Sequence, residues 1–364
     1  MDFALSQDQK LMQASLAGTL DRACPLERVR AFAETREPVA RDVWGALTEL
    51  GVPGLLIAEE HGGLGLGLLD AALIAETLGA HVAPTPFLGS AILAPLAIAG
   101  AGSPAQQQAW LPRLASGDSL AGAAIAETIS GARDGAGVGA RGGRLNGKAL
   151  FALDAAEADI VLVADSAGGL WLVAGDAPGL TRVLLTTIDV TRSVSELRFE
   201  ATPAEALSSG DIAATLRRLR DAAWTMTAAD MLGAAGVMID KAVAYAKERR
   251  QFGRLIGSFQ AVKHLCAEMA AELEPCRALI WYAAYAQDAV PAEASLTAAH
   301  AKAHLSEVSR FVARTATEVH GGMGITDLLG LHYWFKRVGL DRQLFGGPER
   351  VRHLAAVMQG LAAA

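Results

Sequence analysis

Glu248-Arg249-Arg250-Gln251-Phe252-Gly253, and then Ser258-Phe259-Gln260-Ala261-Val262, separate two long segments of helical period. The first segment, about 213–250, ends on cationic residues, which complement the negative end of a helix dipole. The second, 258–287, resumes the same period, with a distortion expected at Pro275. Toward the C-terminus, 291–320 and 348–361 read as two further helices. In the other direction the period changes. Short β-prone runs at 122–126, 144–152, 159–164, 170–173 and 195–199, separated by Gly, Asp and Pro turns, predict a small β domain. Nearer the N-terminus the helical pattern returns. Ser6-Gln7-Asp8-Gln9 has the form of a capping box, 41–50 reads as a helix ended by Gly51, and 68–78 as one ended by Gly79. Between these two helices, residues 58–65 are too glycine-rich for regular structure. The predicted class is mostly α with a central β domain: helical over 1–115, β over 116–212 and helical over 213–364.

Composition supports that class. The chain has 364 residues, 52% of them hydrophobic and only 5% aromatic, so packed helices with small and branched side chains dominate the expected core. A net charge of -7 and a pI near 5.7 argue against a nucleic-acid footprint. Cys24, Cys266 and Cys276 lack metal-ligand spacing and read as buried thiols in a reducing cytoplasm, with no metal centre expected. The Met1-Asp2-Phe3 start shows no leader, and the apolar stretch 87–101 is broken by Gly89, Pro95 and Gly100, so no membrane span is expected.

Five stretches, Glu59-Glu60-His61-Gly62-Gly63, Trp110-Leu111-Pro112-Arg113-Leu114-Ala115-Ser116-Gly117, the two quoted at the outset, and His320-Gly321-Gly322-Met323-Gly324-Ile325-Thr326, together resemble the acyl-CoA dehydrogenase family. The match covers nearly the whole chain. It implies three domains (α, β-barrel-like, four-helix bundle) and FAD as cofactor. It also implies that Arg249 meets the FAD pyrophosphate of a neighbouring subunit, where a guanidinium suits phosphate, and that Phe252 lies against the cofactor. Gln260 is a further implied neighbour. The Gly321-Gly322 turn is where the family brings main chain close to the adenosine half of FAD, which the absence of a Cβ allows. Glu318 stands where family members commonly have Gln, and a carboxylate there repels pyrophosphate.

The chain also departs from the family. Ala126-Glu127-Thr128-Ile129-Ser130-Gly131-Ala132 replaces a Thr-Glu-Pro-Gly-x-Gly-Ser motif whose polar groups hold the flavin. Phe151-Ala152-Leu153 replaces Trp-Ile-Thr, so a ring could stack on Phe151 without the hydroxyl. The family's base, needed to take the α-proton of an acyl-CoA, is a carboxylate at a place that here falls on Phe345 or Gly346. A second place used by some relatives falls within Ala222-Ala223-Trp224-Thr225. No catalytic residue is assigned; Asp221, Asp230 and Glu349 lie near these places but off register. His320 and His264 read as hydrogen-bonded structural residues. The pattern matches the divergent subunit of bacterial heteromeric acyl-CoA dehydrogenases, including those of steroid degradation: a cytoplasmic chain that completes the FAD site of a homologous partner in a heterotetramer. Acyl-CoA is the expected substrate and electron-transfer flavoprotein the possible acceptor. A flavin-dependent monooxygenase on the same fold and a non-catalytic assembly protein are the alternatives.

Overall fold

The computed structural model describes residues 4–363; the Met1-Asp2-Phe3 start and Ala364 lie outside the described residues. Helices α1 (Gln7–Ala23), α2 (Leu26–Thr35), α3 (Arg41–Thr48), α4 (Leu68–Ala80), α5 (Ala94–Ala101) and α6 (Pro104–Ala115) come first. Next are β1 (Ala121–Ala124), the short helix α7 (Ala126–Ser130), β2 (Gly137–Arg141), β3 (Arg144–Leu153), β4 (Ile160–Ala164), β5 (Leu170–Ala174), β6 (Leu180–Leu184), β7 (Val194–Pro203) and β8 (Glu205–Leu207). The chain continues through α8 (Ile212–Glu248), a hairpin of β9 (Arg250–Gln251) and β10 (Arg254–Leu255), α9 (Gln260–Ala289), α10 (Pro291–His320), α11 (Leu331–Gln343) and α12 (Pro348–Met358). The sheet order is β6-β7-β3-β1-β4-β5-β8 with β2 on β3, antiparallel except for the parallel β1–β4 pair. This is the α, β, α architecture with a curled half-barrel sheet at its centre.

α1 begins with the capping box: Gln9 N–H donates to Ser6 Oγ at 3.1 Å and Ser6 N–H to Gln9 Oε1 at 3.0 Å. Gly51 does stop the chain after α3, with φ +75°. Gly79 does not stop α4, which continues through it to Ala80. The physical reason is packing. A Cβ on Gly79 would overlap the Asp230 carbonyl on α8, and one on Gly233 would overlap the Glu76 carbonyl on α4. The glycines let two helix backbones touch. α9 likewise runs unbroken through Pro275. Helix α11 was not anticipated, nor were α2, β2, β6 and β8. Cys24 and Cys276 are buried, whereas Cys266 is only half-buried, because its stretch of α9 faces away from the core. By length and composition α8 would also suit a membrane, but here it is the central core helix, packed by α4, α9, α10 and α11.

The domains are joined by buried polar contacts. Ser90 Oγ accepts from Ala121 N–H at 2.9 Å and donates to the Ala121 carbonyl at 3.2 Å, tying the first domain to β1. Deeper, Arg337 of α11 grips Asp230 of α8 through Nε (3.0 Å) and Nη2 (2.9 Å). Its Nη1 donates to Thr191 Oγ1 at 3.0 Å, in the loop before β7. Arg192 pairs with Asp341 at 2.7 Å and with Asp230 at 3.0 Å. Burial works against the charged Asp230, but Arg337 and Arg192 outweigh it and hold its carboxyl well below the usual range.

A depressed carboxylate pKa adds stability that is complete above the ordinary value near 3.9 and is lost as pH falls below it toward the folded-state value. Arg337→Leu is therefore expected to cost about 3–5 kcal/mol at pH 7 and to flatten the loss of stability below about pH 4. Urea unfolding from pH 3 to 7 checks this; parallel curves for variant and wild type would show that the cluster does not clamp the domains.

Candidate functional site

Two separate places bear on function. The first begins where α8 ends. Arg249 caps it, its N–H donating to the Tyr245 carbonyl at 2.8 Å. The β9–β10 hairpin then turns on Phe252 (φ +52°) and Gly253 (φ +76°). A two-residue turn with both φ values positive matches the twist of its strands, but it places an aromatic residue in the left-handed region and leaves Phe252 92% exposed. Phe259 meets Phe252 edge-on at 6.2 Å and carries the Arg254 guanidinium 4.0 Å above its ring. Across a groove of about 730 Å³ lies the end of α10, closed by Gly321 at φ +58°. Arg249, Phe252, Glu318, Gly321 and Gly322 all line this groove. Gln260 does not: its amide lies against His264 Nε2 at 3.1 Å.

The groove suits a phosphate-bearing group in part. Arg249 supplies a bidentate donor, and no atom stands within 4 Å of where a Cβ would be on Gly321 or Gly322, so ligand can approach their main chain. Glu318 is an exposed carboxylate in the same groove and opposes an anion. His320 is structural: its Nδ1 pairs with the Ala316 carbonyl at 2.7 Å, and its ring packs 4.8 Å from that of Tyr245. Burial pulls its pKa down. Tyr245 was the residue missed in this groove; its signal was spacing, one helical turn before Arg249.

The second place lies between α7, the end of β3 and the end of α11. Residues 126–130 form a helical turn rather than an open loop, and its hydroxyls are committed internally. Ser130 Oγ donates to the Ala126 carbonyl at 2.6 Å, and Thr128 Oγ1 to the Asp165 carbonyl at 3.3 Å. The Glu127 carboxylate accepts from Leu150 N–H at 2.6 Å, and burial pushes its pKa above the usual range. The Arg133 guanidinium sits 4.2 Å from the centroid of Phe151. The pocket left among these groups is about 50 Å³, against roughly 300–1,000 Å³ for sites that hold organic ligands. A flavin ring does not fit it.

The two positions the resemblance gives a catalytic base touch each other here. Trp224 is fully buried, and its Nε1 donates to the Phe345 carbonyl at 2.9 Å. The nearby carboxylates are engaged elsewhere. Asp221 pairs with Arg220 and accepts from Ser295, Asp230 is in the buried cluster, and Glu349 is an exposed partner of Arg342 at 3.1 Å. In the glycine-rich loop, Leu64 and the following Leu66 line a groove of about 470 Å³ with Met12 and Leu16 of α1.

Known proteins place this geometry. Residues 6–118 match the acyl-CoA dehydrogenase N-terminal domain and residues 215–361 the C-terminal domain. Acyl-CoA dehydrogenase IpdE2 of Mycolicibacterium smegmatis is 31% identical over 97% of this chain and 99% of its own. Acyl-CoA dehydrogenase FadE27 of Mycobacterium tuberculosis is 30% identical over 95% of each. Among solved structures, the ChsE4-ChsE5 complex from Mycobacterium tuberculosis superposes with a TM-score of 0.90 at 27% identity over the whole of both chains. A Tcur3481-Tcur3483 steroid ACAD variant gives 0.87 at 29%, over 97% of this chain and 98% of that one. With both of its helical domains matched and a relative of nearly equal length, this chain belongs to the acyl-CoA dehydrogenase family.

Proposed function

We propose that this chain is the partner subunit of a heteromeric, FAD-dependent acyl-CoA dehydrogenase, and that it completes the cofactor site of a homologous catalytic chain. One contrast carries the proposal: the groove at the end of α8 is open and presents Arg249 and Phe252 outward, while the chain's own ring place is reduced to about 50 Å³. Dehydrogenation takes a proton from Cα of an acyl-CoA and a hydride from Cβ. The first needs a carboxylate, and neither family position for it holds one, Trp224 of the one being bonded to Phe345 of the other, so the base belongs to the catalytic chain. This chain's part is to bind and orient. Arg249 would hold the pyrophosphate, the Gly321-Gly322 main chain would face the adenosine half, and Phe252 would reach over the cofactor. FAD, when bound, supplies the hydride acceptor.

Two structural relatives are described as paired chains, and the chain spans 46% of FadE34 of Mycobacterium tuberculosis while 95% of it matches. Both facts favour a paired arrangement. A bulky, steroid-like acyl group is the proposed substrate class, with electron-transfer flavoprotein as acceptor and the cytoplasm as the compartment.

Flavin content and acyl-CoA-dependent bleaching, measured on the chain alone and after co-expression with a homologous dehydrogenase subunit, test the proposal. Bleaching is expected only in the complex, with fewer flavins than chains. Activity and one FAD per chain in a homo-oligomer would sink the idea, and oxygen-dependent turnover of reduced flavin without bleaching would point to monooxygenase chemistry. Within the complex, Arg249→Ala is expected to weaken FAD retention by about 1.5–3 kcal/mol, roughly 10- to 150-fold, with Arg249→Lys restoring only part of it because its ammonium lacks the planar fork. Equal FAD affinity in wild type and Arg249→Ala would remove Arg249 from the site.

A further inference from the structure

The closed ring place is filled by a side chain that resembles what it keeps out. Phe151 lies at φ +54°, where β3 slips register against β7 between Ala149 and Ala152. The alternation of buried and exposed positions along β3 breaks at the same point. A bulge of this kind re-aims a side chain beside a site, and a left-handed conformation in an aromatic residue persists only where its surroundings hold it. Here it presents the Phe151 ring to the pocket that α7 and the end of α11 also line.

On that ring lies Arg133. It comes from an exposed loop whose glycines, Gly131 and Gly135, take φ values of +83° and +74° and let the chain double back over β3. The Arg350 guanidinium stands 3.3 Å from where a Cβ on Gly131 would be, so the loop is backed by a second cation. A guanidinium is flat, delocalised and drawn to an aromatic face. It makes the stacking contact that a flat aromatic ligand would otherwise make with Phe151.

We propose that Arg133 is the residue that keeps this chain's own ring place shut, by occupying the face of Phe151 itself; this rests on the partner-subunit function proposed above. The bulge that would serve a ring is retained, and the loop beside it has been turned into its cover. Flavin selection between the two unlike chains then depends on a single exposed side chain as well as on the lost hydroxyls. Because Arg133 is exposed, its removal leaves the core untouched.

Flavin uptake by Arg133→Ala tests this, in the complex with the catalytic chain and in the chain alone, with circular dichroism to verify the fold. With excess FAD, the wild-type complex is expected to keep one flavin per pair of unlike chains. Arg133→Ala is expected to rise above that, with flavin fluorescence quenched by the ring of Phe151, and the double variant with Phe151→Ala to lose the gain. Uptake in Arg133→Ala no greater than in wild type would overturn the proposal and leave the partner function standing. One FAD bound by the wild-type chain alone would overturn both.

Discussion

Arg337 reaches from α11 to α8, to the loop before β7 and to the Ala83 carbonyl just after α4, and so joins the first helical part, the sheet and the last helical part at one buried point. Its two-pronged grip on Asp230, repeated by Arg192 on Asp341, fixes direction as well as distance. Buried ion pairs are no surer a source of stability than apolar packing of the same volume. What they do impose is orientation, since a guanidinium and a carboxylate bind best when coplanar. Lys302 sits fully buried beside them, donating to Thr227 and to the Asp341 carbonyl, and burial pulls its pKa down to about 7. The half-barrel sheet is thereby held against α11, whose last turn lines the small pocket, and α8 is held in line so that its far end projects the hairpin.

From that frame the chain presents two unlike ends. At one, a helix terminus, a tight hairpin and a glycine turn leave cationic and main-chain groups facing outward. At the other, each feature that would receive a ring has been turned inward: hydroxyls onto carbonyls, Glu127 onto Leu150, Trp224 onto Phe345. Some of the family's polar groups are absent from the sequence, and those that remain are engaged within the chain. The partner-subunit proposal rests on this contrast between the two places.

Much of the fold was legible in the sequence because long helices with small side chains leave a clear period, and because capping signals such as Ser6 and Gln9 are local. Helix α11 was harder to read for a physical reason: its buried face sets Arg337 and Asp341 among Leu331, Trp334, Val338 and Leu340, so charge interrupts the apolar stripe. Gly79 was misjudged because a glycine that ends a helix and one that admits a neighbouring helix look alike until the neighbour is known. In the site, five of the six implied cofactor residues share one groove, since they lie on the hairpin after α8 and at the C-terminal ends of α8 and α10. Gln260 turns away one residue into α9. Arg133 could not have been found from spacing, because its partner Phe151 lies on a strand reached only through a bulge.

Phe252 has one more consequence. A benzyl group 92% exposed at the tip of a hairpin, with Ile325 and Leu328 each at least three-quarters exposed on the chain after α10, is apolar surface that a lone copy offers to water. Surface of this kind drives self-association and recruits the machinery that removes unfolded chains. On the partner-subunit proposal, a lone copy of this chain is therefore expected to be less soluble than an assembled one, through the same side chain that assembly would cover.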